Sequence, residues 1–249
     1  MDVTLKNYFL ERWDKYFPGA ELPISFYYTG DENRAPYAGA DRQQHCIIAE
    51  LGKVRNGQSL SFDVASIPCT GGKRCLGFAD SLRPNFRYFL SCGLEGEVEG
   101  ERYKKSPEIV DKFMADQPPF KAPGKYIVWK RLDQLEAIDQ PVGVIFFARP
   151  DVLAGLFTLV NFDESDRDAV IAPMGSGCSS IVQSLVLQST KAKPKAILGM
   201  FDVSARPYVP ADVLTLGVVW PKFETMVRDM DESFLITESW GKIKKRLGR

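Results

Sequence analysis

Two runs of the sequence are apolar at nearly every position, and this feature constrains the fold more than any other. The runs are "VGVIFFA", which begins at Val142, and "AILGMFDV", which begins at Ala196. A strand with one face in water alternates apolar and polar residues, whereas a strand covered on both faces reads as a continuous apolar run. We therefore predict that both runs lie in the middle of a sheet on which helices pack.

Further strand-like and helical patterns surround these two runs. Runs rich in β-branched and aromatic residues predict four more strands, "ISFYY", "SLSFDVA", "KYIVWK" and "VLTLGVVW". Apolar residues at helical spacing predict a first helix near the N-terminus and later helices that begin at Pro107, Pro150, Pro221 and Thr237. In two of them the predicted inward faces are Ile109, Val110, Phe113 and Met114, and Leu153, Leu156, Phe157 and Val160. The mixture predicts an α+β (or α/β) domain with a mixed sheet.

The chain of 249 residues is predicted to be a single domain, residues 1–249, with a weak internal repeat. In the first half "LPISFYY" leads to Cys46 and then to "FDVAS"; in the second "QPVGVIFFA" leads to Cys178 and then to "FDVSA". The pattern predicts either a duplication of residues 20–117 and 125–236, followed by a C-terminal helix 237–249, or a chance similarity between amphipathic segments. A true duplication would place Cys46 and Cys178 opposite one another across a pseudo-twofold axis.

Charge and cysteine content exclude several classes of protein. The 32 basic residues balance 32 acidic ones, so no global field favours nucleic acid or an anionic membrane. No apolar run approaches the roughly 20 residues needed to span a bilayer, and the N-terminus lacks the pattern of a secretory signal. We therefore expect a cytoplasmic protein, in which five cysteines, an odd number, are free thiols or metal ligands.

The stretch "MGSGCSSIVQSL" is the first candidate site. Gly175 and Gly177 precede Cys178 and Ser179, and an apolar helical pattern follows. Free N–H groups at such a helix start stabilise negative charge, so the pattern indicates a reactive thiolate on Cys178 or a bound anion. The alternative is a helix cap with a small buried cysteine. Asp202 and Arg206, just past a predicted strand end, either line the same ligand pocket or form a local ion pair.

The stretch "CTGGKRC" is the second candidate. Five residues separate Cys69 from Cys75, a looser spacing than that of zinc knuckles, whereas iron–sulfur clusters accept thiolates from separated positions. Cys46, Cys69 and Cys178 form a possible four-thiolate ligand set with Cys75 or, alternatively, Cys92 as the fourth ligand. The alternative is a solvated turn with Cys75 in the core, and Cys92 is interpreted as a small residue packed at a helix end. His45, the only histidine, serves a thiol elsewhere or is a surface residue.

Several separated strings also agree in order with one known family. The strings "CTGGKRCLGF", "GERYKKSPEIV", "GSGCSSIV", "ILGMFDVSARP", "KFETMV" and "ESFLITESW" resemble the DUF169 family of uncharacterised prokaryotic proteins, over nearly the whole chain from about Cys46 to Trp240. The resemblance implies no established reaction. Its recurring features match Cys69 with the two glycines after it, and Cys178 in its glycine-rich turn.

Three functions follow from these patterns. The first is a cysteine-ligated metal or iron–sulfur protein with a redox or sensing role. The second is a thiol-dependent enzyme or anion-binding protein in which Cys178 is the reactive thiolate and Gly175, Gly177, Ser179, Asp202 and Arg206 hold the ligand. The third is a protein-interaction scaffold with inert thiols. A small molecule or a redox partner is expected for the first two.

Overall fold

The structure is a computed structural model that describes residues 1–39, 45–116 and 119–247. In these ranges seven strands form one mixed sheet, which confirms the predicted α+β class. The strands are β1 (Ile24–Thr29), β2 (Leu60–Phe62), β3 (Tyr126–Arg131), β4 (Gly143–Ala148), β5 (Val170–Ile171), β6 (Ala196–Gly199) and β7 (Leu214–Val219). Their order across the sheet is β2-β3-β1-β4-β7-β6-β5, and each pair is antiparallel except β5 with β6.

Helices cover both faces of this sheet. They are α1 (Val3–Tyr16), α2 (Ile47–Arg55), α3 (Thr70–Cys75), α4 (Phe86–Phe89), α5 (Pro107–Ala115), α6 (Pro150–Val160), α7 (Ser184–Ser189), α8 (Trp220–Asp229) and α9 (Glu238–Leu247). A π-helical turn, Ser179–Gln183, leads directly into α7. Of the predicted C-terminal helix 237–249, residues 248 and 249 lie outside the described part of the chain.

The central strand β4 explains why the apolar run "VGVIFFA" has no polar positions. Ile145 and Phe147 point to one core, whereas Val144, Phe146 and Ala148 point to the other. Since successive side chains of a strand alternate between faces, a strand between two cores is apolar throughout. The run "AILGMFDV" forms β6, which lies next to the short edge strand β5 rather than in the middle of the sheet.

The two cores differ in composition. On one face α1, α6, α8 and α9 build what we call the aromatic core, in which Trp13 stacks on Phe9 and Phe17 with ring centroids 5.3 and 4.6 Å apart. On the other face α2, the π-helical turn and α7 build the thiol-side core, in which Cys75 and Cys178 lie among aliphatic side chains and a few aromatic ones, such as Trp129. All the candidate cysteine ligands therefore belong to one side of the sheet.

The strand order bears on the predicted repeat. Outward from the central pair, the sheet runs β1-β3-β2 in one direction and β4-β7-β6 in the other. Only β1 and β2 lie in residues 20–117, whereas β3 already belongs to residues 125–236, so the two sides of the sheet do not divide at the predicted boundary. The duplication of residues 20–117 and 125–236 therefore stays a proposal; residues 40–44 and 117 of the first half are outside the described residues.

Two helices do not bury the faces that the sequence predicts. In α5 only Val110 is buried, and Ile109 is 42% exposed. In α6 Phe157 is 46% exposed, although Leu156 and Val160 are buried as predicted. The α5 discrepancy has a physical cause, because α5 does not pack against the sheet but against α4, above a pocket described next.

Candidate functional site

A pocket of about 650 Å³ lies on the thiol side of the sheet, and four of the five cysteines line it. Cys46 precedes the first turn of α2, Cys69 and Cys75 stand at the two ends of α3, and Cys178 begins the π-helical turn. The structure thus brings together the four positions predicted as thiolate ligands. Their segments are distant in sequence and meet because all of them pack on the same core.

The helix α3 explains the sequence "CTGGKRC". Cys69 caps it, since its Sγ accepts the backbone N–H of Gly72 at 3.3 Å. A Cβ atom built on Gly72 would lie 2.9 Å from Cys69 Sγ and 3.1 Å from Ile67 Cγ2, so only glycine fits there. A Cβ atom on Gly71 would meet nothing within 4 Å. The second glycine therefore permits close packing around a thiol.

Ser176 connects the two buried thiols of the pocket. Its hydroxyl lies 3.4 Å from Cys75 Sγ and 3.3 Å from Cys178 Sγ. The same hydroxyl accepts the backbone N–H of Ser179 at 3.2 Å, which fixes its position at the start of the π-helical turn. Cys75, Ser176 and Cys178 therefore form a compact polar triad in an otherwise apolar environment.

The four pocket thiols differ in acidity. Hydrogen bonds from Cys178 and then from Ser176 hold the pKa of Cys75 below its ordinary value, despite burial. The hydrogen bond with Cys75, together with burial, raises the pKa of Cys178. Burial raises the pKa of Cys46 to about 11, and burial also raises that of Cys69. The thiolate is thus most stable at Cys75, whereas the sequence pointed to Cys178.

The backbone turn before Cys178 is already occupied by a carboxylate of the protein itself. Asp202 accepts the N–H of Gly177 at 2.9 Å, and it also accepts the N–H and the hydroxyl of Ser204 at 3.0 and 2.8 Å. An anionic ligand at this turn would face the negative charge of Asp202. The Gly177 N–H is therefore not available to a ligand.

The chain reaches Asp202 through an uncommon backbone conformation. Met200, which directly follows β6 and lines the pocket, has a φ of 68°. Residues other than glycine seldom adopt this left-handed region, and such strain is found preferentially at functional sites. Met200 is only 1% exposed, so packing on all sides maintains the conformation.

Arg206 lies outside the pocket. Its guanidinium donates to the carbonyls of Val213, Pro210 and Ala211, with the last at 2.7 Å. The arginine therefore fixes the loop before β7 and does not meet Asp202 or a ligand. Gly175, Gly177, Ser179 and Asp202, the other residues predicted to hold a ligand, do line the pocket.

The family model DUF169, described as uncharacterised ArCR, matches residues 20–229. The chain belongs to the DUF169 family. The match extends from just before β1 to the end of α8 and so includes all four pocket cysteines. No curated protein and no solved structure matches the DUF169 chain.

The remaining candidate residues of the DUF169 chain have clear positions. His45 lines the pocket and shares a 2.7 Å hydrogen bond, through Nε2, with Glu50 of α2. Cys92 is exposed, outside the pocket, and its Sγ donates to the Gly93 carbonyl at 3.4 Å. The interpretation of Cys92 as a packed residue was wrong, because α4 ends three residues earlier, at Phe89, and Cys92 lies exposed in the turn that follows.

The four thiols share a pocket without converging on one point. Among residues 1–39, 45–116 and 119–247, no three His, Cys, Asp or Glu side chains are arranged to hold a metal ion. None of the helices in those ranges is both long and apolar enough to cross a bilayer. Both statements concern geometry alone.

The sequence patterns did not reveal the opposite wall of the pocket. Six apolar side chains from α4, α5 and the loop before them line it, namely Leu82, Phe86, Phe89, Leu90, Phe113 and Met114. At the rim, Met174, Phe201 and Val203 are exposed by 54, 53 and 69%. The signal is present in the apolar stripe of α5, of which Phe113 and Met114 line the pocket instead of the core.

Proposed function

We propose that this DUF169 protein binds an uncharged, largely apolar small molecule in the thiol pocket and presents the Cys75 thiolate to an electrophilic group of that molecule. The observation that supports this proposal is the placement of four of the five cysteines around one pocket of about 650 Å³. Ligand sites in proteins are typically apolar cavities of this size with a few well-placed polar groups.

The two sides of the pocket support different parts of the proposal. The wall from α4 and α5 contributes aromatic and aliphatic side chains, which suit an apolar ligand. Opposite, Ser176 and Cys178 surround the Cys75 sulfur with two hydrogen-bond donors. A thiolate, rather than a thiol, is the nucleophile, so donors at Cys75 favour its reaction.

The charge of the ligand is inferred from Asp202. Because this carboxylate takes the N–H of Gly177, a ligand that reaches the turn meets a negative charge in place of that amide. Arg206, the predicted counterpart of an anion, faces the carbonyls of its own loop. Both observations favour a neutral ligand over an anionic one.

A comparison of the labelling rates of two maleimides tests the proposal. The protein is treated with N-phenylmaleimide or with the smaller N-methylmaleimide, and the labelling rate at each cysteine is measured by peptide mass spectrometry. Exposed Cys92 serves as the internal standard. We expect the ratio of Cys75 to Cys92 labelling to be several-fold higher for the aromatic reagent. Equal ratios for the two reagents would contradict binding of apolar molecules beside Cys75.

A pair of wall variants sharpens this test. Phe89→Ala removes an aromatic side chain from the pocket wall, whereas Phe162→Ala changes an exposed phenylalanine outside the pocket. We expect only Phe89→Ala to lower the preference of Cys75 for N-phenylmaleimide. A similar loss in both variants would indicate a general effect on folding rather than a ligand site.

An iron–sulfur cluster on Cys46, Cys69, Cys75 and Cys178 is the second candidate, supported by the shared pocket of these thiols. It ranks lower because no three ligand side chains of the described residues are arranged around one point. Iron and sulfide analysis of protein purified without oxygen distinguishes the two candidates. Stoichiometric iron and sulfide, lost in Cys46→Ser but retained in Cys92→Ser, would favour the cluster.

A further inference from the structure

We infer that Cys75 and Cys178 form a dithiol–disulfide couple that reduces small apolar disulfides. The inference rests on the proposed function for the binding of the substrate and adds a reaction to it. Its basis is that two thiols from distant parts of the chain contact the same hydroxyl group inside a pocket.

The contacts select this pair among the pocket cysteines. Both Sγ atoms lie within 3.4 Å of the Ser176 hydroxyl, so the two sulfurs are held together by a group anchored in the π-helical turn. Cys69 is instead committed to the N–H of Gly72 as the cap of α3. A resolving thiol must lie beside the attacking one, and Cys178 fulfils this requirement for Cys75.

The reaction proceeds in two exchanges. First the Cys75 thiolate attacks one sulfur of the substrate R–S–S–R, the substrate S–S bond breaks, and R–S⁻ leaves while a mixed disulfide forms on Cys75. Cys178 then releases its proton to solvent and attacks the Cys75 sulfur, which expels the second R–S⁻. The protein pair loses two electrons, and the substrate gains them as two thiols. An external thiol reductant restores the protein dithiol.

The surroundings suit each step. The Ser176 and Cys178 donors stabilise the attacking thiolate before the first exchange. The apolar wall of α4 and α5 accommodates the R group of the mixed disulfide during the second. Both thiols are buried, with Cys75 8% and Cys178 6% exposed, so the order of attack follows from the lower pKa of Cys75 rather than from shielding.

The experiment uses 4,4′-dithiodipyridine, a neutral aromatic disulfide that releases coloured thiopyridone. The reduced Cys92→Ser protein is mixed with less than one equivalent of the probe without oxygen. We expect two thiopyridones per probe molecule, no bound adduct, and a Cys75–Cys178 cross-link in the peptide map. In the Cys92→Ser protein that also carries Cys178→Ser, we expect one thiopyridone per probe molecule and a stable adduct on Cys75. In the Cys92→Ser protein that also carries Cys75→Ser, the release of thiopyridone should be slower by at least about tenfold.

Two results would overturn the inference. One is a lasting probe adduct on Cys75 in the protein that retains Cys178; the other is a cross-link that joins a different pair. Since both readings come from the protein with its pocket intact, a variant that fails to fold does not affect them.

A hydrophilic disulfide separates the inference from the proposed function. If the cross-link forms equally fast with hydroxyethyl disulfide, the dithiol–disulfide couple is supported and the apolar ligand site of the proposed function is not. If Cys75 prefers aromatic reagents but no cross-link forms, the apolar ligand site is supported and the dithiol–disulfide couple is contradicted.

Discussion

The backbone N–H of Gly72 donates to the Sγ atom of Cys69 at 3.3 Å. This contact gives a thiol the role that serine or aspartate usually has at the start of a helix. It also explains why a glycine is needed at the third position after the cysteine. The same short helix carries Cys75 at its other end, so its geometry positions two of the four pocket thiols.

Gly72→Ala should displace the Cys69 sulfur, because the added Cβ would lie 2.9 Å from it and 3.1 Å from Ile67. Overpacking of this kind costs about 1–3 kcal/mol. We expect a lower melting temperature and faster alkylation of Cys69. Gly71→Ala is the matched control, since its Cβ has open space. Equal stability of the two variants would show that α3 tolerates side chains at both glycines.

Ser176→Ala should raise the pKa of Cys75, because the hydroxyl donates to the thiolate form and no other group replaces it in alanine. The labelling rate of Cys75 follows its thiolate fraction, so the midpoint of its pH profile should move to higher pH. Ser189→Ala is the control, as the Ser189 hydroxyl donates only to the Val186 carbonyl on the exposed side of α7. An unchanged profile in Ser176→Ala would assign the acidity of Cys75 to Cys178 alone.

Gly155→Ala should destabilise the aromatic core. The new Cβ would lie 2.4 Å from Trp240 Cη2 and 2.8 Å from Phe17 Cε1, and Trp240 is fixed by its bond to the Tyr16 carbonyl at 2.9 Å. The gain of about 1 kcal/mol in helix propensity does not offset this clash, which costs about 1–3 kcal/mol or more. Gly52→Ala in α2 has no such neighbour and should stabilise the protein. Urea unfolding of both variants measures the difference; a stabilised Gly155→Ala would contradict the packing described here.

Asp231→Asn should reduce stability at neutral pH. Hydrogen bonds from Tyr16, Tyr8, Lys15 and Arg12 outweigh its desolvation and hold the pKa of Asp231 well below the ordinary value. A lowered folded-state pKa stabilises the protein above the unfolded-state pKa, near 3.9, and the contribution disappears as the pH falls through the folded-state pKa. Allowing for partial exposure, we expect a loss of about 1 kcal/mol at pH 7.

The pH dependence separates this effect from a loss of packing. Unfolding by urea at pH 7 and at successively lower pH should show the difference between wild type and Asp231→Asn shrinking in acid. Asp14→Asn, on the exposed side of α1, should match wild type throughout. A difference that stays constant down to acid pH would attribute the loss to steric change rather than to charge.

Sequence patterns predicted six of the seven strands of the described residues, because the residue types of a strand reflect its burial, but they placed β6 in the middle of the sheet and did not predict β5. The apolar run of β4 predicted a central strand, and the structure has two cores on either side of it. The helix α3 was not predicted, since six residues with two adjacent glycines resemble a turn. Its stability comes from the Cys69 cap and from burial of Cys75, which depend on tertiary contacts that a local pattern does not contain.

The site was predictable in part for a related reason. Cysteines at the starts of α2 and of the π-helical turn were expected to meet, and Cys46 and Cys178 line the same pocket. The acidity of their neighbour was not predictable, because the low pKa of Cys75 arises from Ser176 and Cys178, about a hundred positions along the chain. The prediction for Arg206 failed for a different reason. Its position past a strand end does not determine the direction of its guanidinium, which donates to a carbonyl of its own loop.

The separation of the two cores has a spectroscopic consequence. Trp13 and Trp240 belong to the aromatic core and Trp220 packs against it, whereas Trp129 alone of the four tryptophans lies on the thiol side. Most of the intrinsic emission therefore comes from the face that the pocket does not touch. Quenching by a bound molecule will be small, and a large change of tryptophan fluorescence on adding a compound should be read as unfolding of the opposite face.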